Sequence, residues 1–318
     1  MPQAFWVTGP GRGQIRPVPL PEPGPDEVLV RTRYSAFSRG TESLVFAGRV
    51  PPSQYGAMRA PFQEGDFPGP VKYGYLNVGV AETGALRGRT VFCLYPHQDR
   101  YVVPAAAVRP VPDGVPAERA VLAGTVETAV NALWDAAPLV GDRIAVIGAG
   151  MVGCCVARIA ARLPGARVTL VDVEPDRARI AARLGAEFAT PGQTCGRYDV
   201  VIHASATAAG LEAALELLPP DGAVIELSWY GDDPVALRLG GAFHSRRLAI
   251  RASQVGAVAP ARRATRTTAD RLDLALQLLR DPAFDALIED RCAFTDLPAR
   301  VPGWVATPGL CHLIDYRS

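Results

Sequence analysis

A glycine-rich turn between an apolar segment and a helical segment constrains this chain more than any other feature. Residues 143–147 are short, apolar and β-branched, as in a strand buried on both faces, and the alanine-rich residues 151–162 are typical of a helix. The glycines between them keep the spacing G-x-G-x-x-G, which provides a tight turn, close approach of a pyrophosphate and close packing of helix on strand. The turn therefore predicts a dinucleotide site with the phosphates over the helix N-terminus. The predicted cofactor contacts in this turn are Gly148, Gly150, Met151, Val152 and Gly153.

A second apolar strand, residues 168–171, ends at Asp172, near the spacing expected for a ribose-binding carboxylate. A carboxylate there accepts hydrogen bonds from the 2′ and 3′ hydroxyls and repels a 2′-phosphate. The sequence therefore predicts that NAD(H) is preferred over NADP(H). Arg177 follows closely enough to flank the adenosine and to weaken that preference.

Two other interpretations of the glycine turn stay open at this point. It could be a plain strand-to-helix turn, or the cofactor turn of a methyltransferase. The upstream chain argues against the methyltransferase, because the first 120 residues predict short strands separated by turns, including an alternating strand over residues 27–34. Residues 48–70 are rich in proline and glycine and long enough to cover a substrate. After Asp172, helices and strands alternate, which predicts an α/β fold with a parallel, doubly wound sheet.

Composition limits the classes of function. The chain has 318 residues, enough for two domains, with 48% apolar and 20% charged residues. A formal net charge of +1 gives no electrostatic case for nucleic acid or an anionic membrane. No apolar run approaches the roughly 20 residues of a spanning helix, and no signal segment is evident, so we expect a cytoplasmic protein. The six cysteines lack paired spacing, which favours free thiols over zinc or disulfides.

Three longer segments carry a resemblance to a known family. They are EVLVRTRYSAFSRGTE, VPDGVPAERAVLAGTVETAVNAL and DVVIHASATAAGLEAALELLPPDGAVIELSWYG. With the glycine turn, they resemble the medium-chain dehydrogenase/reductases, and the S-x-G-T-E turn resembles the bacteriochlorophyllide dehydrogenase-like branch. The resemblance implies a GroES-like β-rich catalytic domain at residues 1–124 and 262–318. It also implies a Rossmann NAD(P)-binding domain at residues 125–261, a site in the cleft between them, and a homodimer paired through an edge strand near residues 248–252.

This chain differs from the zinc alcohol dehydrogenases of that superfamily at the positions of their metal ligands. Where those enzymes have a Cys ligand, a His ligand and a second Cys, this chain has Ser38-Arg39, Tyr73-Gly74-Tyr75 and Ala123. The four-Cys lobe that holds a structural zinc is replaced by residues 83–91. Because these residues do not supply three zinc ligands, we expect a zinc-free member.

Without a metal, side chains must handle the proton that accompanies hydride transfer. The candidate catalytic residues are Tyr75, His97 and Thr41; packing of Tyr75 and backbone bonding of His97 are the structural alternatives. His203 and Ser228 follow strands of the cofactor domain and are expected to contact the cofactor. The candidate substrate-pocket residues are Ser38, Glu42, Tyr73, Trp229 and Tyr230.

Three functions remain. The first is a zinc-independent, NAD(H)-dependent oxidoreductase that interconverts an alcohol and a ketone on a bulky small-molecule substrate. The second is an NADPH-dependent quinone or enoyl reductase of the same fold. The third is a non-catalytic dinucleotide-binding protein.

Overall fold

The chain divides into two structural units in the computed structural model, which describes residues 1–317. One unit combines Met1–Gly124 with the segment that begins at Ile288, and the other is Thr125–Leu287. Residues 262–287 lie with the second unit, whereas the sequence places them in the first domain, whose return segment was expected to begin at residue 262. The reason is that the buried Arg271 binds Glu127 inside the second unit.

The first unit is built mainly from β-strands. Its strands up to residue 110 are β1 (Gln3–Gly9), β2 (Arg12–Pro17), β3 (Glu27–Phe37), β4 (Glu64–Gly65), β5 (Val71–Lys72), β6 (Asn77–Ala81), β7 (Thr90–Cys93), β8 (Arg100–Pro104) and β9 (Val108–Pro110). Its helices before the second unit begins are α1 (Arg39–Phe46) and α2 (Ala117–Ala120), with short 3-10 turns at Pro52–Gln54 and Ala105–Ala107. In β3 the alternation predicts the observed inward face, since Val28, Val30 and Thr32 are buried.

The second unit contains a six-stranded sheet. Its strands are β10 (Arg143–Ile147), β11 (Arg167–Val171), β12 (Glu187–Ala189), β13 (Val200–His203), β14 (Ala223–Glu226) and β15 (Ala249–Ala252). Its helices are α3 (Ala123–Ala136), α4 (Met151–Ala160), α5 (Arg177–Leu184), α6 (Ala208–Glu216), α7 (Ala242–Ser245) and α8 (Thr268–Leu278), with 3-10 turns at Pro191–Gln193 and Pro282–Leu287.

All neighbouring strands of this sheet are parallel, in the order β12-β11-β10-β13-β14-β15. Strand order therefore reverses between β10 and β13, the position where doubly wound sheets bind ligands beyond the carboxyl ends of the strands. The predicted parallel, doubly wound sheet is confirmed.

The chain then returns to the first unit through β16 (Ile288–Ala293), a 3-10 turn at Phe294–Asp296, α9 (Leu297–Ala306) and β17 (Cys311–Asp315). Strand β17 lies between β16 and β3 in a sheet of order β16-β17-β3-β6-β7-β9, to which β8 adds by pairing with β3. A separate four-stranded sheet has the order β2-β1-β5-β4.

The sequence predicts an extended segment over residues 71–81, a helix over residues 117–134 and a proline-rich connection over residues 16–25. The structure differs from each of these three predictions. Residues 71–81 are not one strand, because Gly74 adopts a φ of +126° and separates β5 from β6. The helix predicted over residues 117–134 is two helices, since the Leu122 N–H bonds the Arg119 carbonyl in a tighter turn. The start of the proline-rich connection at residue 16 belongs to β2, which pairs with β1.

Among residues 1–317, no helix is both long enough and apolar enough to span a bilayer.

Candidate active site

The glycine turn has the geometry that its spacing predicts. Gly148 has a φ of +108°, and a Cβ there would lie 2.7 Å from the Ser205 backbone nitrogen. A Cβ on Gly153 would lie 1.9 Å from the Gly148 carbonyl oxygen. Gly150, the N-cap of α4, has nothing within 4 Å of its Cβ position. Packing thus requires glycine at the first and third positions, and the second leaves open space where a phosphate can approach the backbone.

Met151 and Val152 open helix α4 directly after this space, and both are half-buried. The first N–H groups of a helix have no partner within the helix and attract an anion. The turn can therefore hold a diphosphate.

Asp172 supports the glycine turn from the end of the neighbouring strand β11. Its Oδ2 accepts a hydrogen bond from the Ala149 N–H at 2.6 Å, and its Oδ1 accepts one from the Glu174 N–H at 3.0 Å. An ionised carboxylate has about four acceptor positions, so acceptor capacity remains for ribose hydroxyls. Arg177 is the first residue of α5 and is half-buried.

His203 and Glu226 end the adjacent strands β13 and β14 and lie opposite each other in register. His203 is fully buried, and its Nδ1 lies 2.7 Å from Glu226 Oε2. Burial raises the pKa of Glu226, but hydrogen bonds and charge from His203 and hydrogen bonds from Ser228 outweigh it, so the pKa lies below its ordinary value. The other ring nitrogen of His203, Nε2, lies 2.6 Å from the Ser205 hydroxyl. Both ring nitrogens of the buried His203 thus have protein partners, and Nδ1 also lies 3.4 Å from the Ser228 hydroxyl.

Three other predicted residues follow β14. Ser228 donates its N–H to Glu226 Oε1 at 2.7 Å, and its hydroxyl accepts the Ala206 N–H at 3.0 Å. Tyr230 donates its hydroxyl to Glu226 Oε2 at 3.0 Å; burial and Glu226 raise the pKa of this phenol. Trp229 is half-buried. Ser228 and Tyr230 thus fix the carboxylate of Glu226.

In the first unit, Tyr75 lies within a group of hydroxyls at the start of α1. Its phenol donates to Ser38 Oγ at 2.6 Å and also hydrogen-bonds the Thr41 side chain. Burial and the nearby charge of Glu42 raise the pKa of Tyr75 to about 12. All three hydroxyl-bearing residues are half-buried.

Beneath these hydroxyls lies a buried acid–imidazole pair. Glu42 Oε2 lies 2.8 Å from His97 Nε2, and Glu42 Oε1 accepts the Ser38 N–H at 2.8 Å. His97 Nδ1 lies 2.8 Å from Ser35 Oγ, which contacts the Tyr316 hydroxyl at 2.9 Å. His97 and Glu42 are 1% and 5% exposed, so neither contacts a substrate directly in this conformation.

Tyr73 is packed beside this site. It is 5% exposed, its ring meets the Tyr75 ring edge to face at 6.3 Å between centroids, and it also contacts the Phe67 ring. Its hydroxyl reaches only the Met58 carbonyl, at 3.5 Å. Its position favours a packing role for Tyr73.

The positions that correspond to the zinc ligands of the zinc alcohol dehydrogenases hold other side chains in this structure. Ser38 and Tyr75 are bonded to each other there, and Ala123 is buried. Over the described residues 1–317, no cluster of three or more His, Cys, Asp or Glu side chains could hold a metal ion. The six cysteines are free thiols.

Sequence reasoning did not identify Ser35, Tyr316 or Ser205. Ser35 and Tyr316 meet because β17 pairs with β3, with Ile314 opposite Ser35. Pairing between strands so distant in the chain leaves no local signal. Ser205 could have been found, since it comes two residues after the strand-ending His203.

Comparison with known proteins places these units in a well-populated fold. The alanine dehydrogenase/PNT C-terminal domain family matches residues 120–219. An L-threonine 3-dehydrogenase of Rhizobium rhizogenes is 26% identical over 63% of this chain, and the match spans 64% of that protein, less than two thirds of its length. The 2-desacetyl-2-hydroxyethyl bacteriochlorophyllide A dehydrogenase of Cereibacter sphaeroides is 27% identical over 76% of this chain and 77% of its own.

Solved structures match over nearly the whole chain. A protein described as a zinc-binding dehydrogenase from Clostridium scindens superposes with a TM-score of 0.81 at 18% identity, covering 100% of both chains. An Escherichia coli alcohol dehydrogenase complexed with NADH gives 0.77 at 16% identity, covering 99% of both chains. A Sinorhizobium meliloti dehydrogenase bound to NADP gives 0.78 at 17% identity, covering 99% of both chains. At these identities the structures establish the fold.

Proposed function

We propose that this chain, which has the fold of the medium-chain dehydrogenase/reductases and resembles them in sequence, is a zinc-independent, NAD(H)-dependent oxidoreductase interconverting an alcohol and a ketone. The predicted resemblance and the predicted fold class, a GroES-like unit plus a Rossmann unit, are confirmed. The proposal is carried by the cluster of three hydroxyls, from Tyr75, Ser38 and Thr41, beside the buried Glu42–His97 pair. This cluster lies at the positions where zinc-dependent relatives are expected to bind their metal.

The second unit is assigned the cofactor and the first unit the substrate chemistry. The open space at Gly150 and the N-terminus of α4 fit a diphosphate, and Asp172 keeps acceptor capacity for a ribose. The dinucleotide supplies the hydride acceptor or donor. Trp229 and Tyr230 are proposed to lie near a bulky small-molecule substrate.

Tyr75 is assigned the role of proton donor. With a pKa of about 12 its phenol stays protonated at neutral pH, so it can donate to the alkoxide that develops as a carbonyl is reduced. The Ser38 and Thr41 hydroxyls hydrogen-bond the phenol and stabilise the phenolate left behind. In the oxidation direction the same groups receive the proton.

Glu42 and His97 are assigned a positioning role. Glu42 accepts the Ser38 N–H at the start of α1, and so fixes the hydroxyl that receives the Tyr75 hydrogen bond. His97 holds the second Glu42 oxygen and links it to Ser35. The buried pair thus keeps the site rigid.

A parallel titration with NADH and NADPH, after a metal assay on the same sample, tests the proposal. We expect less than one zinc per chain and about tenfold tighter binding of NADH. Asp172→Ser should reduce NADH affinity about tenfold and remove the discrimination, because the ribose acceptor and the charge that repels a 2′-phosphate are both lost.

Asp176→Ser is the matched control, since Asp176 is an exposed acid at the N-cap of α5. It should leave both affinities unchanged. Tighter NADPH binding would contradict the cofactor assignment and favour a quinone or enoyl reductase, and stoichiometric zinc would contradict the metal assignment. Tight NADH binding with no turnover across alcohols and ketones would favour a non-catalytic binding protein.

The proposal includes a cytoplasmic homodimer that has no nucleic-acid or membrane partner. Strand β15 lies at the edge of the six-stranded sheet, and its four residues are exposed. An edge with unpaired backbone groups can pair with a second copy. Light scattering should therefore give twice the monomer mass of 33.7 kDa, and a monomer would refute the dimer.

A further inference from the structure

Lys72 is the only lysine in this chain, since the other 32 of its 33 lysine and arginine residues are arginine. Its side chain is 1% exposed, and charged side chains rarely lie so deep unless they are paired. Unlike an arginine, a lysine ends in a compact ammonium that is strongly hydrated in water and costly to bury. A chain rich in arginine therefore places its one ammonium in a buried position.

Three groups surround this ammonium. Its Nζ donates to Gln98 Oε1 at 2.7 Å and to the Glu64 carboxylate, and it lies 5.3 Å from the centre of the Tyr95 ring. Burial lowers the pKa of Lys72, even though the hydrogen bond and the charge of Glu64 act in the opposite direction. Of the three groups only Glu64 carries an opposite charge, so the buried ammonium depends on it most.

Glu64 belongs to a loop at the edge of the four-stranded sheet. We call residues 52–67, which lie between α1 and β5, the covering loop. Its strand β4 is the edge strand and pairs with β5 over two residues, with Glu64 opposite Lys72 and Gly65 opposite Val71. The Glu64 side chain is 53% exposed. The carboxylate is thus hydrated, whereas the ammonium is not.

The covering loop lies over aromatic side chains next to the hydroxyls of the candidate site. The Phe67 ring contacts the Tyr73 ring at 5.6 Å between centroids, and the Phe62 ring contacts the Tyr95 ring at 5.4 Å. Tyr73 is 5% exposed, and its ring lies 6.3 Å from that of Tyr75. Moving the loop away would expose Tyr73 and widen the approach to Tyr75.

We propose that Lys72 is a gating charge, whose buried ammonium makes the closed position of the covering loop depend on Glu64, so that the loop opens when this ion pair breaks. In the closed loop the ammonium is removed from water, and the carboxylate offsets that cost. In the open loop water hydrates both charges. The two positions are therefore closer in free energy than with an apolar side chain at residue 72. Only the use of the opening, to admit a substrate to Tyr75, rests on the proposed function.

A gating charge and a plain tether respond differently to loss of each partner. For a tether, removal of either partner loosens the loop. For a gating charge, Glu64→Gln leaves a buried ammonium without its carboxylate and so favours the open loop. Lys72→Met instead removes the charge that is costly to bury and leaves Glu64 hydrated, so the loop stays closed at least as firmly as in the wild type.

Hydrogen exchange of the full chain, followed by mass spectrometry, measures the opening of residues 52–67. Glu64→Gln should exchange the amides of this loop at least about tenfold faster than the wild type, whereas Lys72→Met should exchange them no faster. Acylation of the Lys72 amine is a second measure of opening, because no other lysine can react. It should also be faster in Glu64→Gln.

Glu22→Gln is the matched control, because Glu22 is an exposed glutamate of the same unit outside the loop. It should leave both rates unchanged. Unchanged loop exchange in Glu64→Gln, or faster exchange in both Glu64→Gln and Lys72→Met, would overturn the gating role.

Folding of the variants is checked first by circular dichroism, because Lys72 is buried. If Lys72→Met does not fold, Lys72→Gln takes its place as the uncharged variant. If neither folds, the exchange and acylation rates of Glu64→Gln decide the proposal. None of these measurements needs a dinucleotide or a substrate. A negative result therefore leaves the proposed function standing, and a chain without turnover leaves the gate standing.

Discussion

Tyr75→Phe is expected to lower kcat for carbonyl reduction about 10²- to 10⁴-fold at pH 7, with a much smaller change in KM. The substitution removes the only proton that Tyr75 can give and leaves its ring in place. The phenol has a pKa of about 12, raised by burial and by Glu42, so it is a protonated donor throughout the neutral range. Steady-state rates on a ketone identified by screening, measured with excess NADH, provide the comparison.

Tyr73→Phe is the matched control for this experiment. Tyr73 is a neighbouring tyrosine, 6.3 Å away between ring centroids, but its hydroxyl reaches only the Met58 carbonyl at 3.5 Å. We expect its kcat to stay within about threefold of the wild type, since a long hydrogen bond contributes little. Full turnover in Tyr75→Phe would refute the assignment of the proton, and equal losses in both variants would indicate a packing effect.

Arg271→Ala is expected to destabilise the second unit by about 3–5 kcal/mol, because it leaves a buried carboxylate without its partner. Arg271 is 1% exposed, and its Nε lies 3.1 Å from Glu127 Oε1. It also donates to Asn131 Oδ1 at 2.5 Å and to the backbone carbonyls of Val255 and Ala257. One guanidinium thus joins α8, α3 and the segment after β15. Urea unfolding followed by tryptophan fluorescence measures the loss.

Two further variants serve as comparisons for this prediction. Arg158→Ala removes a less buried arginine that binds Asp281 within the same unit, and it should cost clearly less. The double variant Arg271→Met with Glu127→Gln removes both charges and should recover part of the stability that Arg271→Ala loses. Burial raises the pKa of Glu127 in spite of Arg271, which shows that desolvation of this carboxyl is costly. A loss below about 1 kcal/mol in Arg271→Ala would contradict the prediction.

The local parts of the fold could be predicted because their signals lie within a few residues of one another. The glycine turn and the strand ending at Asp172 follow from short patterns, whereas the edge position of β15 was implied by the family resemblance. The predicted extended segment and the predicted helix are interrupted at Gly74 and Leu122 by backbone changes of single residues. The pattern of apolar residues does not encode such changes. Whether a segment forms a helix or a strand was thus easier to predict than where that helix or strand is interrupted.

The site was harder to predict for a different reason. Tyr75, Glu42 and His97 were recognised as residue types suited to chemistry, but the sequence could not show that His97 and Glu42 are buried against each other. The contact of Ser35 with His97 depends on a 62-residue separation, and its contact with Tyr316 on a 281-residue separation. Such contacts depend on tertiary structure, so the roles of these side chains follow only from the folded protein.

The position of β17 also determines the order in which the protein can be made. This strand fills the place between β16 and β3, so the sheet of the first unit stays open along β3 until residues 311–315 have left the ribosome. The second unit is continuous in sequence and needs nothing after Leu287. During synthesis, which proceeds from the N-terminus, the second unit can therefore finish folding while the first waits with an exposed strand edge, and nascent-chain protection by chaperones matters most in that interval.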